Sequence, residues 1–310
     1  MTSETIVIDT DPGQDDAVAL LLAFASPAEL DLKAITTVAG NVPLALTTAN
    51  ALRIRELAGR EDVPIHAGAD RPLLFPLSTA EFVCGPDGLA GADLPSARGT
   101  ASATHAVEAL IAILRAAPDD SVTLCPLGPL TNLALAFRLA PDVLPKVKRI
   151  VLMGGALALG NITPAAEFNV HVDPHAAAIV FACGRPIVMF GLGVTHQAIA
   201  SHEQVARLLT FGNTAGRAVH GMLTRPRPGG LETAGHPMHD PCVIAFLLWP
   251  ELFSGRDCFV EVETVDGPLR GRTTIDWNGR LKRPANAHVV ASVEAEALFQ
   301  RLFDRLATLP

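Results

Sequence analysis

An apolar run that breaks into acid constrains this chain more than any other stretch of it. Residues 5–25 read TIVIDTDPGQDDAVALLLAFA: a short strand-like run leads into Asp9, Asp11, Asp15 and Asp16, and an apolar helical run follows at once. A strand that is apolar on both faces needs cover on both faces, which calls for a parallel sheet between layers of helix. The pattern repeats. Strand candidates recur at Lys33–Val38, Ser121–Cys125, Arg149–Met153 and Pro186–Phe190, with helical stretches at Leu44–Ala58, Leu130–Leu139 and Pro174–Ala182. Right-handed crossovers then give an α/β fold, an open doubly wound and mostly parallel sheet flanked by helices. The tail differs: Phe259–Val265 and Arg270–Asp276 alternate polar with apolar around Asp266-Gly267, which predicts a small C-terminal β-hairpin. Ser292–Leu306 reads as a closing helix. Two Gly/Pro-rich stretches, Phe75–Pro95 and Arg225–Pro237, have the length and composition of lids or binding loops. With no linker in view, residues 1–310 are expected to form one domain.

Composition narrows the function. A net charge of −8 and 5% aromatic content, with no tyrosine, argue against a nucleic-acid platform, which needs a basic face and stacking rings. The start, MTSETIVID, has neither the basic end nor the long apolar stretch of a leader, and no 20-residue apolar span is present. The five cysteines are scattered and make no CxxC pair, the usage expected of reduced thiols in the cytoplasm rather than of a disulfide framework.

Four aspartates within eight residues, DTDPGQDD, stand where open α/β sheets bind ligands, at the C-terminal end of a strand. Asp-Pro-Gly turns readily and an aspartate caps a helix, but a cap needs one acid. Four carboxylates this close raise one another's pKa unless a cation neutralises them, so a metal site is the better reading. All-oxygen ligation points to Ca²⁺ or Mg²⁺ rather than zinc. Downstream, Asn41 follows AITTVAG; Asn161, Glu167, Phe168 and Asn169 lie in GNITPAAEFN after RIVLMGG; His239 and Asp240 precede an apolar run in HPMHDPC. Singly these are turn, loop and cap residues. Together they put Asp, Asn, Glu and His at successive strand ends, as a polyol-binding pocket requires.

In that order, DTDPGQDD, ITTVAGN, PLGPLTN, VLMGG, GN…AEFN and HDP, the chain resembles the nucleoside hydrolases, calcium-dependent enzymes that cleave the N-glycosidic bond of ribonucleosides. The likeness runs from about Ile6 into the C-terminal hairpin. It implies Ca²⁺ held by Asp11, Asp16, Asp240 and the backbone carbonyl of Leu127, where threonine is common in the family. Asp15, Asn41, Asn161, Glu167 and Asn169 match its ribose-binding positions, with Met153 and Phe168 against the sugar. It further implies a homodimer or homotetramer.

The chemistry behind that likeness is general. An oxocarbenium-like sugar needs an activated water, supplied by the metal with Asp11 as general base, and carboxylates to stabilise the developing cation. The departing base needs a proton. Where inosine- and uridine-preferring members carry a histidine, in the segment AEFVCG, this chain carries Cys84, as a cysteine-containing subset of the family does. A thiol is a weak donor, so His239 is the first candidate for leaving-group activation, with His236 in reserve and Cys84 on the nucleobase side. Two other functions fit parts of the pattern. One is a non-catalytic ribose- or nucleoside-binding protein that keeps the metal pocket. The other is a DxD phosphohydrolase, disfavoured because no basic cradle for phosphate accompanies the acids.

Overall fold

The computed structural model describes residues 3–90, 92, 94–224 and 235–310. The chain begins with β1 (Glu4–Thr10), α1 (Gln14–Phe24), β2 (Leu30–Thr37), α2 (Leu44–Leu57) and β3 (Ile65–Ala67). Next come α3 (Glu81–Cys84), α4 (Ala106–Ala116), β4 (Val122–Pro126), α5 (Thr131–Leu139) and β5 (Val147–Met153). The central segment carries α6 (Phe168–Val172), α7 (Pro174–Phe181), β6 (Ile187–Phe190), α8 (Leu192–Thr195), β7 (Ile199–Ala200), α9 (His202–Arg207) and α10 (Thr214–Thr224). The last part holds β8 (His236–Pro237), α11 (Pro241–Leu248), β9 (Phe253–Cys258), β10 (Val260–Val262), β11 (Thr273–Ile275), β12 (Ala287–Val293) and α12 (Ala295–Leu306).

Eight strands form the main sheet in the order β3-β2-β1-β4-β5-β6-β12-β9. Every neighbouring pair is parallel except β12 with β9 at the edge. The apolar run of β1 shows why both faces are covered. Ile6 and Ile8 pack into a core with α1, while Val7 points the other way, into a core with α4 and α5. The chain winds from β1 out to β3 and then returns to β4 on the far side of β1. That reversal opens a crevice between the ends of β1 and β4, where sheets of this kind take ligands.

The tail corrects the sequence reading in one respect. The helix starts at Ala295, not Ser292, because Ser292 and Val293 belong to β12 and pair with Ser254 and Phe253 of β9. Those two strands went unrecognised in the sequence, since β9 exposes most of its residues and carries no apolar run. The hairpin is present as β10 and β11, three residues each. The first Gly/Pro-rich stretch contains α3 and is tied to the aspartate turn by Asn50, whose Nδ2 donates to Pro12 O at 3.1 Å and Asp87 O at 2.7 Å. Of the second stretch, residues 225–234 lie outside the described residues. Among the described residues no helix is long and apolar enough to cross a membrane.

Candidate active site

The acids gather at the crevice. Asp9, the penultimate residue of β1, sits between Thr36 of β2 and Pro126 of β4 in register. Its Oδ1 accepts from Thr36 Oγ1 at 2.5 Å and Asn132 Nδ2 at 2.8 Å, which ties three elements together, while its buried Oδ2 has no hydrogen-bond partner among the described residues. Asp11, two residues on, is 1% exposed and held differently. Its Oδ2 accepts the Asn41 N–H at 2.7 Å, and Oδ1 has no hydrogen-bond partner among the described residues. Gly40 and Gly128 flank the carboxylate. A Cβ on the first would overlap Asp11 Oδ2 and one on the second Asp11 Oδ1, so only glycine lets the ends of β2 and β4 close around it.

Asp16 serves the turn and the site together. It caps α1 by accepting the Gly13 N–H at 3.0 Å, and its other oxygen accepts from Thr10 Oγ1 at 2.5 Å. Asn41 Nδ2 adds a contact at 3.3 Å. Asp240 arrives from the far end of the chain, immediately before α11, and carboxylate oxygens of Asp15, Asp16 and Asp240 lie within 4.8 Å of one another. Burial, and then the neighbouring aspartates, hold the Asp11 and Asp240 carboxyls well above the ordinary range; Asp16 is pushed up to about 6 by burial and Asp15. Buried carboxylates this close are costly without a positive partner. The partnerless Asp11 Oδ1 and the three converging carboxylates suit a hard divalent cation bound through oxygen. Of the residues expected to ligate, Asp16 and Asp240 stand in the cluster, with Asp15 as its third member and Asp11 beside it. The Leu127 carbonyl lies on the same floor, accepting from Asn169 Nδ2 at 2.6 Å.

Above the acids opens a cavity of about 330 Å³. Asp15, Asp16, Asn41, Leu127, Met153, Asn161, Glu167, Phe168, Asn169, His239 and Asp240 all line it, which brings together most of the residues singled out in the sequence. Two roomier grooves elsewhere include none of the acids. Glu167 caps α6, its oxygens accepting from Asn169 N, Val170 N and Gly155 N at 2.9, 3.2 and 2.9 Å, and burial pushes its carboxyl up to about 7. Asn161 Oδ1 accepts the Phe168 N–H at 2.9 Å, so the loop after β5 is closed on itself.

The rest of the lining is apolar and aromatic: Ala80, Phe82, Val83, Ile162 and Pro237, with His196 and His239. His239 Nδ1 lies 2.7 Å from Thr195 Oγ1, and the His196 ring meets it edge-on with centroids 5.4 Å apart. Sequence reasoning missed His196 and Phe82. A lone histidine gave no signal, although its place after the sixth strand was the same kind of strand end that carries the acids. Cys84 sits otherwise than expected for the nucleobase side. It is 4% exposed and packs with Val42, Ala80 and Phe168, with Sγ 3.1 Å from Ala80 O, while Phe82 and Val83 of the same short helix face the cavity. Burial, then Asp11, pushes its thiol up, which makes it a poor proton donor. His236 is in β8, its ring 5.8 Å from that of His202, and does not line the cavity.

A comparison with known families matches residues 6–300 to the model described as inosine-uridine preferring nucleoside hydrolase. The pyrimidine-specific ribonucleoside hydrolase RihA of Shewanella sp. (strain ANA-3) is 44% identical over 312 residues, covering 98% of this chain and 96% of that one. The non-specific ribonucleoside hydrolase RihC of Salmonella typhi is 43% identical over 305 residues, covering 98% of each. Among solved structures, the plant nucleoside hydrolase PpNRh1 superposes with a TM-score of 0.91 at 33% identity, covering 99% of this chain and all of that one.

Proposed function

The chain belongs to the inosine-uridine preferring nucleoside hydrolase family and is a ribonucleoside hydrolase, an N-glycosyl hydrolase of small-molecule nucleosides; from that premise we propose that it works with Ca²⁺ and with Asp11 as general base. The observation that carries this reading is the buried, partnerless Asp11 Oδ1, beneath a cavity lined by the three converging carboxylates of Asp15, Asp16 and Asp240. Asp11, Asp16, Asp240 and the Leu127 carbonyl would hold the ion. What calcium supplies when bound is a fixed positive charge that orients and acidifies a water and draws the raised carboxyls back to their ionised forms.

The residues of the chain account for the remaining steps. Asp11 takes a proton from the attacking water as the water oxygen bonds to C1′ of the ribose. The C1′–N bond breaks with its electron pair passing to the nucleobase, through an oxocarbenium-like sugar. Asp15, Asn41, Asn161, Glu167 and Asn169 hold the ribose hydroxyls, and Met153 and Phe168 pack against the ring. The fixed negative charge of the floor stabilises the sugar cation. His239, in the cavity lining, gives the base its proton; its exposure to the cavity supports it over the buried Cys84.

Steady-state ribose release from uridine, cytidine, inosine and adenosine, for the wild type, Cys84→Ala and His239→Ala, tests this assignment. The expected result is turnover by the wild type, a near-normal Cys84→Ala and a strongly impaired His239→Ala. Loss confined to Cys84→Ala would reverse the assignment. We place the enzyme in the cytoplasm as a homodimer or homotetramer serving nucleoside salvage; five free cysteines support the compartment. Light scattering after size exclusion measures the assembly.

A further inference from the structure

The two segments that build the histidine wall are about forty residues apart and are joined by a short zipper. β7 and β8 pair antiparallel, Ile199 with Pro237 and Ala200 with His236. The backbone pairing continues as the Met238 N–H donates to Ala198 O at 2.8 Å. One residue on, the contact passes to side chains, and Thr195 Oγ1 meets His239 Nδ1 at 2.7 Å. Thr195 is fully buried at the end of α8, with its own N–H donating to Gly191 O. Enclosed on all sides, its hydroxyl is held by close packing rather than left to swing in solvent. The His196 ring, at 61° to that of His239, limits how the imidazole can swing.

We infer that Thr195 is a positioning residue for departure of the nucleobase: its hydroxyl holds His239 through Nδ1, which makes Nε2 the ring nitrogen that serves the leaving base. The inference rests on the proposed role of His239. With Nδ1–H donating to Thr195 Oγ1, a proton can pass from Nε2 to the base nitrogen and the bond to Thr195 is kept. The second ring nitrogen of a working histidine is commonly fixed in this way, and losing the fixing group leaves the ring present but misdirected.

The test compares substrates whose leaving groups differ in their need for a proton. Wild type, His239→Ala, Thr195→Val, Thr195→Ala and Thr195→Ser are assayed on uridine and inosine and on 4-nitrophenyl riboside, whose phenolate leaves without one. Thr195→Val, which keeps the shape and removes the hydroxyl, is expected to lose about tenfold more kcat on the nucleosides than on the nitrophenyl riboside, with KM little changed. Thr195→Ser is expected to restore most of the difference, and Thr195→Ala gives the same reading if valine is not accommodated. Equal losses on both substrate types, or no loss, would overturn the inference. A selective loss in His239→Ala but not in the Thr195 variants would overturn it alone; no selective loss in either would overturn the role of His239 as well.

Discussion

The acidic floor of the cavity and its histidine-bearing wall are built on different principles. The floor takes Asp9 and Asp11 from the end of β1, Gly40 and Asn41 from beyond β2, Leu127 and Gly128 from beyond β4, and Met153 from the end of β5. Four strands already paired in the sheet fix it, with Asp9 held by the Thr36 and Asn132 side chains and Asp11 by the Asn41 N–H. The wall comes from α3, α8 and the β7–β8 ladder, outside the main sheet, and presents apolar side chains, two histidines and a Phe82 that is 54% exposed. The sugar is the same in every ribonucleoside and the base is not. The proposed roles follow that line, assigning the ribosyl cation to the acidic half and the base to the half built outside the sheet.

The comparison predicts that damage to the floor costs turnover and damage to the wall costs base recognition or leaving-group chemistry. The largest effect is expected from Asp11→Ala, a fall in kcat of at least about a thousandfold on every nucleoside, measured as ribose release. Asp9, so close in sequence, should behave as scaffold. Burial raises its carboxyl from 3.8 to about 7, so the folded state binds a proton that the unfolded chain releases. Its contribution to stability is therefore full below about pH 4 and is lost as pH rises toward 7, by roughly 4 kcal/mol at most. Urea unfolding of Asp9→Asn in excess chelator is expected to show a flatter decline over that window than the wild type. Gly128→Ala pushes a methyl onto Asp11 Oδ1, and a loss of roughly a hundredfold in kcat with the fold retained by circular dichroism is expected. The smallest effect belongs to the wall: Phe82→Ala is expected to raise KM for nucleosides about fivefold and leave kcat nearly unchanged. A fall in kcat as large as that of Gly128→Ala would break the division of labour.

The floor was also the legible half. Its acids are close in sequence and follow an apolar strand, so pattern and chemistry point to the same place. The parallel core strands were readable for the same reason, each being a short apolar run. What escaped was whatever depends on tertiary contact alone. Ser292 has no local signal to choose strand over helix, and β9 is recognisable only through its pairing with β12. Gly40 and Gly128 matter through a carboxylate distant from each in sequence. Cys84 lies in a helix of four residues, too short for periodicity to say that Phe82 and Val83 face the cavity and the thiol faces the core. His196 and Thr195 acquire meaning only once the β7–β8 ladder brings His239 against them.

Catalysis by this floor requires that the crowded acids work as a cation site. Ribose release from uridine and inosine, followed before chelation, in excess chelator and after Ca²⁺ is restored, measures this directly. Activity that disappears with chelator and returns with Ca²⁺, while Asp11→Ala stays inactive throughout, is the predicted result. Turnover that persists undiminished in excess chelator would contradict it.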